Sequence, residues 1–173
     1  MNKRFVIYNT ILTFLVGFLV HNMFHWIPST ITTIFPVNES LYEHMKLIFI
    51  SPIISSLCIY LYFKIKDYQV NNLLFGLIVS TIFNIIIFYL IYLPLYSAFG
   101  SSMIMTLSTY FITIVISNYL YYLIVEMKNN SVLNKFSFIA IIVIGSILTY
   151  FTYHPLKVDF FRDPTNGVYG IPK

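Results

Sequence analysis

The sequence has very little charge for its length. Only 9% of its 173 residues are charged, whereas 58% are hydrophobic, and the mean hydropathy is +0.81. A soluble domain usually has about 25% charged residues, which cover its surface. The scarcity of charge therefore excludes a water-soluble protein and predicts a polytopic membrane protein. A chain of this length forms a single integral membrane domain over residues 1–173.

Cysteine, dense basic stretches and familiar enzyme motifs are scarce or missing as well. Cys58 is the single cysteine, which excludes an intrachain disulfide and a zinc site built from cysteines. The net charge is +4, but no stretch is basic enough to neutralise a run of phosphates, so nucleic acid is excluded as a partner. The sequence also lacks the Gly-x-Ser-x-Gly, His-Glu-x-x-His, phosphate-loop and Rossmann motifs, which excludes the enzyme classes that those motifs define.

Five long apolar runs account for most of the chain. They predict an all-α fold, in which five transmembrane helices form one small bundle. The predicted helices cover about residues 5–27, 40–63, 70–93, 102–125 and 133–153, and a tail follows over residues 154–173. Pro28 and Pro94 are predicted to mark the ends of the first and third helices, and Pro52 predicts a kink within the second.

The lysine and arginine positions predict the orientation in the membrane. Five spans place the two termini on opposite sides, and cytoplasmic loops are enriched in Lys and Arg. Lys3, Arg4, Lys64, Lys66, Lys128 and Lys135 fall on the N-terminal side, whereas Lys46, Lys157, Arg162 and Lys173 fall on the other. We therefore expect a multi-pass protein of the cell membrane with a cytoplasmic N-terminus and an outer C-terminal tail.

Titratable side chains are concentrated on the predicted outer side. All four histidines and four of the six acidic residues fall there: His21, His25, His44, His154, Glu39, Glu43, Asp159 and Asp163. Chance would scatter the ten histidines and acidic residues of the chain over both faces. The asymmetry predicts an outward-facing polar site, and its centre is the stretch from Asn38 to Lys46, which starts the second helix.

The histidine spacing is compatible with a metal site. His21 and His25 are four residues apart, so they share one face of the first helix and could form half of a zinc site. Two or three imidazoles with one carboxylate would hold zinc and leave an open position for a water molecule. The candidate ligands are His21, His25, His44, His154, Asp159 and Asp163. The alternative interpretation is that these are interfacial or hydrogen-bonded histidines without a metal.

Glu39 and Glu43 allow two interpretations as well. They are also four residues apart, and two like charges at this spacing destabilise a helix unless a cation or a shared proton compensates. In the functional interpretation either glutamate is a general base beside Ser40. In the other, Ser40 and Glu43 form a capping box, with Asn38 as an alternative N-cap and Lys46 as a partner for Glu43.

The tail can also be interpreted in two ways. Asp163 to Gly167 is a turn-forming run, which is typical of an ordinary polar tail. Alternatively the tail folds back over the outer mouth of the bundle, where Phe160 and Phe161 anchor it and Asp159 or Asp163 completes the site.

Two groups of residues resemble a known family. The block Pro36-Val37-Asn38-Glu39-Ser40 with Glu43, His44 and Lys46, and the late motifs Phe161-Arg162-Asp163-Pro164 and Gly167-Val168-Tyr169-Gly170-Ile171, resemble a bacterial family of small multi-pass membrane proteins, the domain of unknown function number 6512. The resemblance covers the whole chain. It implies an integral membrane protein and brings no established activity.

A second likeness concerns spacing alone. Ser40-x-x-x-His44 and His21-x-x-x-His25 are similar to the zinc-binding motifs of alkaline ceramidase and adiponectin receptor type membrane hydrolases. The motif order is reversed here and only five spans are predicted, so the likeness is a chemical analogy.

Two functions follow as hypotheses. The first is a metal-dependent hydrolase, with zinc as the cofactor, that acts on a lipid or another amphiphile at the outer leaflet. The second is a non-enzymatic role in solute or proton transport, sensing or scaffolding, in which Glu43, His44 and Lys46 form a structural network. Membrane lipids are the expected partners, a homo-oligomer would be needed to form a path, and haem on His21 or His25 is a third alternative.

Overall fold

The computed structural model describes residues 4–172, and the regular structure in that range is helical. Its five α-helices are α1 (Arg4–Trp26), α2 (Leu41–Ile65), α3 (Leu73–Phe99), α4 (Met103–Val125) and α5 (Ser131–Tyr153). Each is 23 to 27 residues long and apolar enough to cross a membrane. The predicted all-α fold with five spans is therefore confirmed, and all helix limits except those of α3 lie within two residues of the prediction.

Helix α3 differs most from the prediction. We expected Pro94 to end it, but the helix continues to Phe99. A proline removes one backbone hydrogen bond, and neighbouring packing can compensate for that loss. Here the rings of Phe88, Tyr92 and Tyr96 form a column across the proline, with ring centroids 5.1 and 5.8 Å apart. This column stabilises the helical conformation beyond Pro94.

Helices α1 to α4 form a ring of four, and α5 packs outside it. Helix α1 contacts α2 and α4, α3 contacts α4 and α2, and α5 lies mainly against α3. Each helix of the ring contributes an almost fully buried apolar side chain to a shared core: Val20, Ile48, Phe88 and Ile114 are exposed by 2% or less. This ring surrounds the shared core.

The connections gather the predicted site residues at one end of the bundle. Helices α1, α3 and α5 end where α2 and α4 begin, and the segment after α5 starts there too. We call this the tail end. All four histidines, Glu39, Glu43, Asp159 and Asp163 belong to helix ends or loops on this side, as the topology predicts.

The tail folds back over the tail end of the bundle, as the lid interpretation predicts. The Phe161 ring is 8% exposed and stacks on Tyr42 of α2 with ring centroids 4.2 Å apart. The Tyr42 hydroxyl in turn donates a hydrogen bond to the Leu148 carbonyl of α5 at 2.7 Å. The tail is therefore fixed to α2 and α5 by an aromatic anchor.

Gly170 makes the closest approach of the tail to the bundle. Its φ is +70°, and a Cβ atom there would overlap the Thr152 carbonyl oxygen of α5. The Gly170 carbonyl also accepts a hydrogen bond from the Asn38 side-chain amide at 2.7 Å. Only glycine fits this position, because any side chain would both strain the backbone and push the tail off α5.

Gly170→Ala is expected to detach the end of the tail. Gly100→Ala is the matched control, because Gly100 has a similar φ of +75° but open space around it. The control should lose about 1 kcal/mol from backbone strain. The first variant should lose clearly more and should make residues 163–170 accessible to protease in detergent. Equal losses and equal cleavage would show that the close approach is unimportant.

Candidate functional site

The start of α2 is built by a short chain of side-chain caps. The side-chain oxygen of Asn38 accepts a hydrogen bond from the Ser40 N–H at 2.8 Å. The Ser40 hydroxyl accepts one from the Glu43 N–H at 3.2 Å. Ser40 is therefore the N-cap, as the capping interpretation predicts. In a capping box the Glu43 side chain would return to the Ser40 N–H, but Asn38 takes that place. The Glu43 carboxylate is left for another partner.

That partner is Lys46, in a fully buried ion pair. The Lys46 ammonium lies 2.6 Å from the Glu43 carboxylate, and the two side chains are 0% and 1% exposed. The ammonium also donates to the Thr33 carbonyl and to the Thr152 hydroxyl, each at 2.8 Å. All three ammonium protons thus have an acceptor, as a buried cation requires.

Both oxygens of the Glu43 carboxylate also have hydrogen-bond donors. It accepts from the Thr152 hydroxyl at 2.9 Å and from the Val37 N–H at 3.1 Å. The network joins α2 to α5 and to the segment between α1 and α2. The structural-network alternative places Glu43, His44 and Lys46 in one network. Glu43 and Lys46 form such a network with Thr152, whereas His44 lies beside Glu39 instead. No substrate can reach Glu43 without opening the packing.

A second polar cluster lies on the other face of the same turn. Glu39 sits between two histidines: its carboxylate oxygens lie 3.4 Å from His21 Nε2 and 3.7 Å from His44 Nε2. The two imidazole rings are 5.6 Å apart. In the described range of the chain, these three residues form the one group whose donor atoms all lie within 4.8 Å of one another. All three are half-buried rather than sealed.

The tautomer of His44 is set by the backbone. His44 Nδ1 lies 2.9 Å from the Ser40 carbonyl oxygen, which can only accept, so Nδ1 holds the proton. The other ring nitrogen, Nε2, faces the Glu39 carboxylate. Metal-binding histidines are usually oriented in this way, by a hydrogen bond from the other ring nitrogen to a carbonyl or carboxylate.

Two of the predicted histidine ligands lie outside this cluster. His25 packs edge-on against Phe24, with centroids 6.2 Å apart, and His154 lies over Tyr150 at 4.7 Å. His154 and Asp159 are exposed. The i, i+4 spacing of His21 and His25 therefore does not produce a shared site in this structure, and Glu39 and His44 take the place of His25.

The Asp163 side chain joins the tail to the cluster by a hydrogen bond from the Glu39 backbone. Its carboxylate accepts from the Glu39 N–H at 3.3 Å and from the N–H and hydroxyl of Thr165 at 2.8 and 2.6 Å. Burial alone would raise the pKa of this carboxyl, but the hydrogen bonds from Thr165, Glu39 and Asn166 outweigh it and lower the pKa. Since the pKa is lowered on folding, this contribution to stability is present above the usual aspartate range and is lost as the pH falls through the lowered value.

A cavity of about 1170 Å³ opens beside the cluster. His21, Glu39 and His44 line it at the tail end, and the tail contributes Asp159 and Arg162. Its remaining walls are mostly aromatic and aliphatic side chains of the four-helix ring: Phe14, Phe18, Leu41, Leu47, Ile48, Phe88, Tyr92, Leu93, Tyr96, Met103, Leu107 and Tyr110. This volume is slightly above the usual range of about 300–1,000 Å³ for small-molecule sites.

Two contributors to the site were not predicted. Thr152 closes the Glu43–Lys46 network, and Arg162 lines the cavity. Thr152 looks like an ordinary helical threonine in the sequence, so nothing marks it. Arg162 has a signal, because it lies inside the Phe161-Arg162-Asp163-Pro164 motif.

Lys46→Met is expected to destabilise the protein strongly, because it leaves Glu43 buried and unpaired. The expected loss is about 3–5 kcal/mol, or about 10 °C in Tm for a chain of this size. The double variant Glu43→Gln with Lys46→Met should recover part of the loss. Lys135→Met, at an exposed lysine of α5, is the control and should leave the Tm unchanged. A loss no larger than that of the control would contradict the structural role.

The comparisons with known proteins place the chain in a family. Comparison with curated proteins and with solved structures gives no match. The model of one family, described as a family of unknown function, matches residues 1–171, which is nearly the whole chain. The protein therefore belongs to the family of unknown function DUF6512.

Proposed function

We propose that this protein is a metal-dependent membrane hydrolase that acts on an amphiphile, with zinc held by His21, Glu39 and His44. The observation that supports this most is the placement of a two-histidine, one-carboxylate group at the wall of a large apolar cavity. Three protein ligands of this kind are typical of catalytic zinc sites, in which the fourth position is left for water.

The separations within the cluster are compatible with a metal site. Zinc–ligand distances of about 2.1 Å in a tetrahedron give donor atoms about 3.4 Å apart. The separations of 3.4 and 3.7 Å, each to a different oxygen of Glu39, are close to that value. They are longer than the usual N–H···O distance of about 2.9 Å. His44 is already oriented by the Ser40 carbonyl, as a ligand should be.

The cavity indicates the kind of substrate. Its apolar walls suit one or two acyl or isoprenoid chains, and the polar atoms at the tail end would face the head group. A zinc ion supplies a bound water of lowered pKa and polarises a carbonyl or phosphoryl oxygen. In this assignment Arg162 binds an anionic part of the head group and Asp159 accepts a proton, whereas Glu43 and Lys46 hold the start of α2 in place.

We propose that the site faces outward in the cell membrane. Arg4, Lys64, Lys66, Lys128 and Lys135 lie at the end opposite the tail. Lys46 lies on the tail side in sequence, but it is buried in its ion pair, so it is no loop charge. The positive-inside rule then favours a cytoplasmic N-terminus more clearly than the sequence count did.

Metal content of the purified protein tests the assignment. Wild type is expected to hold about one zinc ion per chain, and His21→Ala and His44→Ala should lose it. His25→Ala and His154→Ala are the matched controls, and both should keep it. The same variants should lose or keep zinc-dependent hydrolysis of ester and amide amphiphiles. Absence of metal from wild type, or equal loss in all four variants, would contradict the proposal.

Cysteine labelling tests the orientation. In a Cys58→Ser background, a cysteine at Asn166 should react with an impermeant reagent added to intact cells, because Asn166 is exposed in the tail. A cysteine at Asn129, which is exposed in the loop between α4 and α5, should react only after lysis. The reverse pattern would place the site in the cytoplasm.

A further inference from the structure

The middle of the four-helix ring has an unusually polar interior. Its side chains are buried, with exposures of 5% or less: Asn9, Thr13, Ser55, Ser80, Thr81, Asn84, Ser117 and Asn118. In a membrane span each buried polar group must be paired inside the protein, because lipid offers no partner. Polar groups at this depth are therefore a starting point for a functional hypothesis.

Part of this polar interior is paired between helices. The Asn9 side-chain amide donates a hydrogen bond to the side-chain oxygen of Asn118 at 2.6 Å. The Thr13 and Ser55 hydroxyls are 2.7 Å apart. Two atoms on α3 differ. Within the described residues, the Asn84 side-chain oxygen and the Thr81 hydroxyl are buried and have no hydrogen-bond partner. Both residues are 1% exposed.

These two residues line a small space between the helices. It offers about 10 Å³ to the centre of a water-sized sphere, which is room for one occupant of that size. Thr13, Ser80, Ser117 and Asn118 also line it. Ser80 and Ser117 donate their hydroxyl protons back to carbonyls of their own helices, at 3.0 and 2.8 Å. Their oxygen lone pairs are therefore left as acceptors.

The lining thus presents several side-chain oxygens as acceptors, and its possible donors are the Thr81 hydroxyl and the amide groups of Asn84 and Asn118. Asn84, Ser80 and Ser117 each offer an oxygen lone pair, and Thr81 can offer another. A water molecule could donate to only two of them. No carboxylate lines the space, so two positive charges would remain uncompensated on a divalent ion, which costs far more in a low-dielectric region than one. We propose that this space binds a monovalent cation of the size of Na⁺, held by neutral oxygens from α3 and α4.

The position of this site relates it to the large cavity. Thr13, Asn84 and Ile114 line the small space, and Gly17, Phe88 and Tyr110 line the cavity four residues away on the same three helices. One turn corresponds to about 6 Å along each helix. The cation would therefore lie just below the floor of the cavity, where it links the helices that form the walls. The cation site shares no lining residue with the His21, Glu39 and His44 cluster.

Thermal stability in different salts tests the cation site. Purified protein in detergent is heated in about 150 mM NaCl, KCl or choline chloride, so that ionic strength is constant. A cation that binds only the folded state raises the Tm, and about 2–4 °C is expected for Na⁺ over choline. Thr81→Val and Ser117→Ala each remove one oxygen at nearly constant shape and should abolish the Na⁺ shift. Ser146→Ala, an exposed serine of α5 with the same type of bond to its own helix, is the control.

Each outcome decides the proposal. A shift that is specific for Na⁺, present in Ser146→Ala and His44→Ala but lost in Thr81→Val, supports the site. Its persistence in His44→Ala separates it from the zinc assignment. Equal Tm values in Na⁺ and choline would mean that the space holds water only, and the proposal would be wrong. A shift that survives both Thr81→Val and Ser117→Ala would place Na⁺ elsewhere and would also overturn it.

Discussion

The buried ion pair between Glu43 and Lys46 is the contact on which the tail end of the bundle depends. It joins the start of α2 to α5 through Thr152 and to the preceding segment through Thr33 and Val37. An ion pair at this depth adds little stability compared with an apolar replacement, but it is costly to break from one side. Its value is geometric, because it permits one arrangement of three chain segments.

That arrangement separates the chemistry of one short stretch into two faces. Glu43 and Lys46 point into the protein interior, where their ion pair has a structural role. Glu39 and His44 point toward α1, meet His21 and remain half-buried at the cavity. Ser40 serves both faces, because its hydroxyl caps α2 while its carbonyl orients His44. A helix start is well suited to this division, since successive residues there leave the axis in different directions.

The sequence was sufficient for the span number, the fold class and the clustering of polar groups at one end, because those features depend on composition and on chain direction. It also indicated the capping role of Ser40 and the folded-back tail. It could not choose between His25 and Glu39 as the neighbour of His21, because that depends on the tilt of α1 against α2. Nor could it show that α3 continues past Pro94. It also could not show that the side-chain amide of Asn72, just before α3, donates to three backbone carbonyls at and beyond the end of α4. These outcomes depend on contacts between residues far apart in sequence.

The bond between the Asp163 carboxylate and the Glu39 N–H has a consequence for the order of assembly. Residues 38 to 44 are synthesised early, between the first two spans, whereas residues 163 to 170 follow the fifth. Until the late segment arrives, the Glu39 backbone and the Asn38 amide lack the partners that hold them. The cluster can therefore reach its final geometry only after all five helices have been inserted, so an incompletely inserted chain would not contain a finished site.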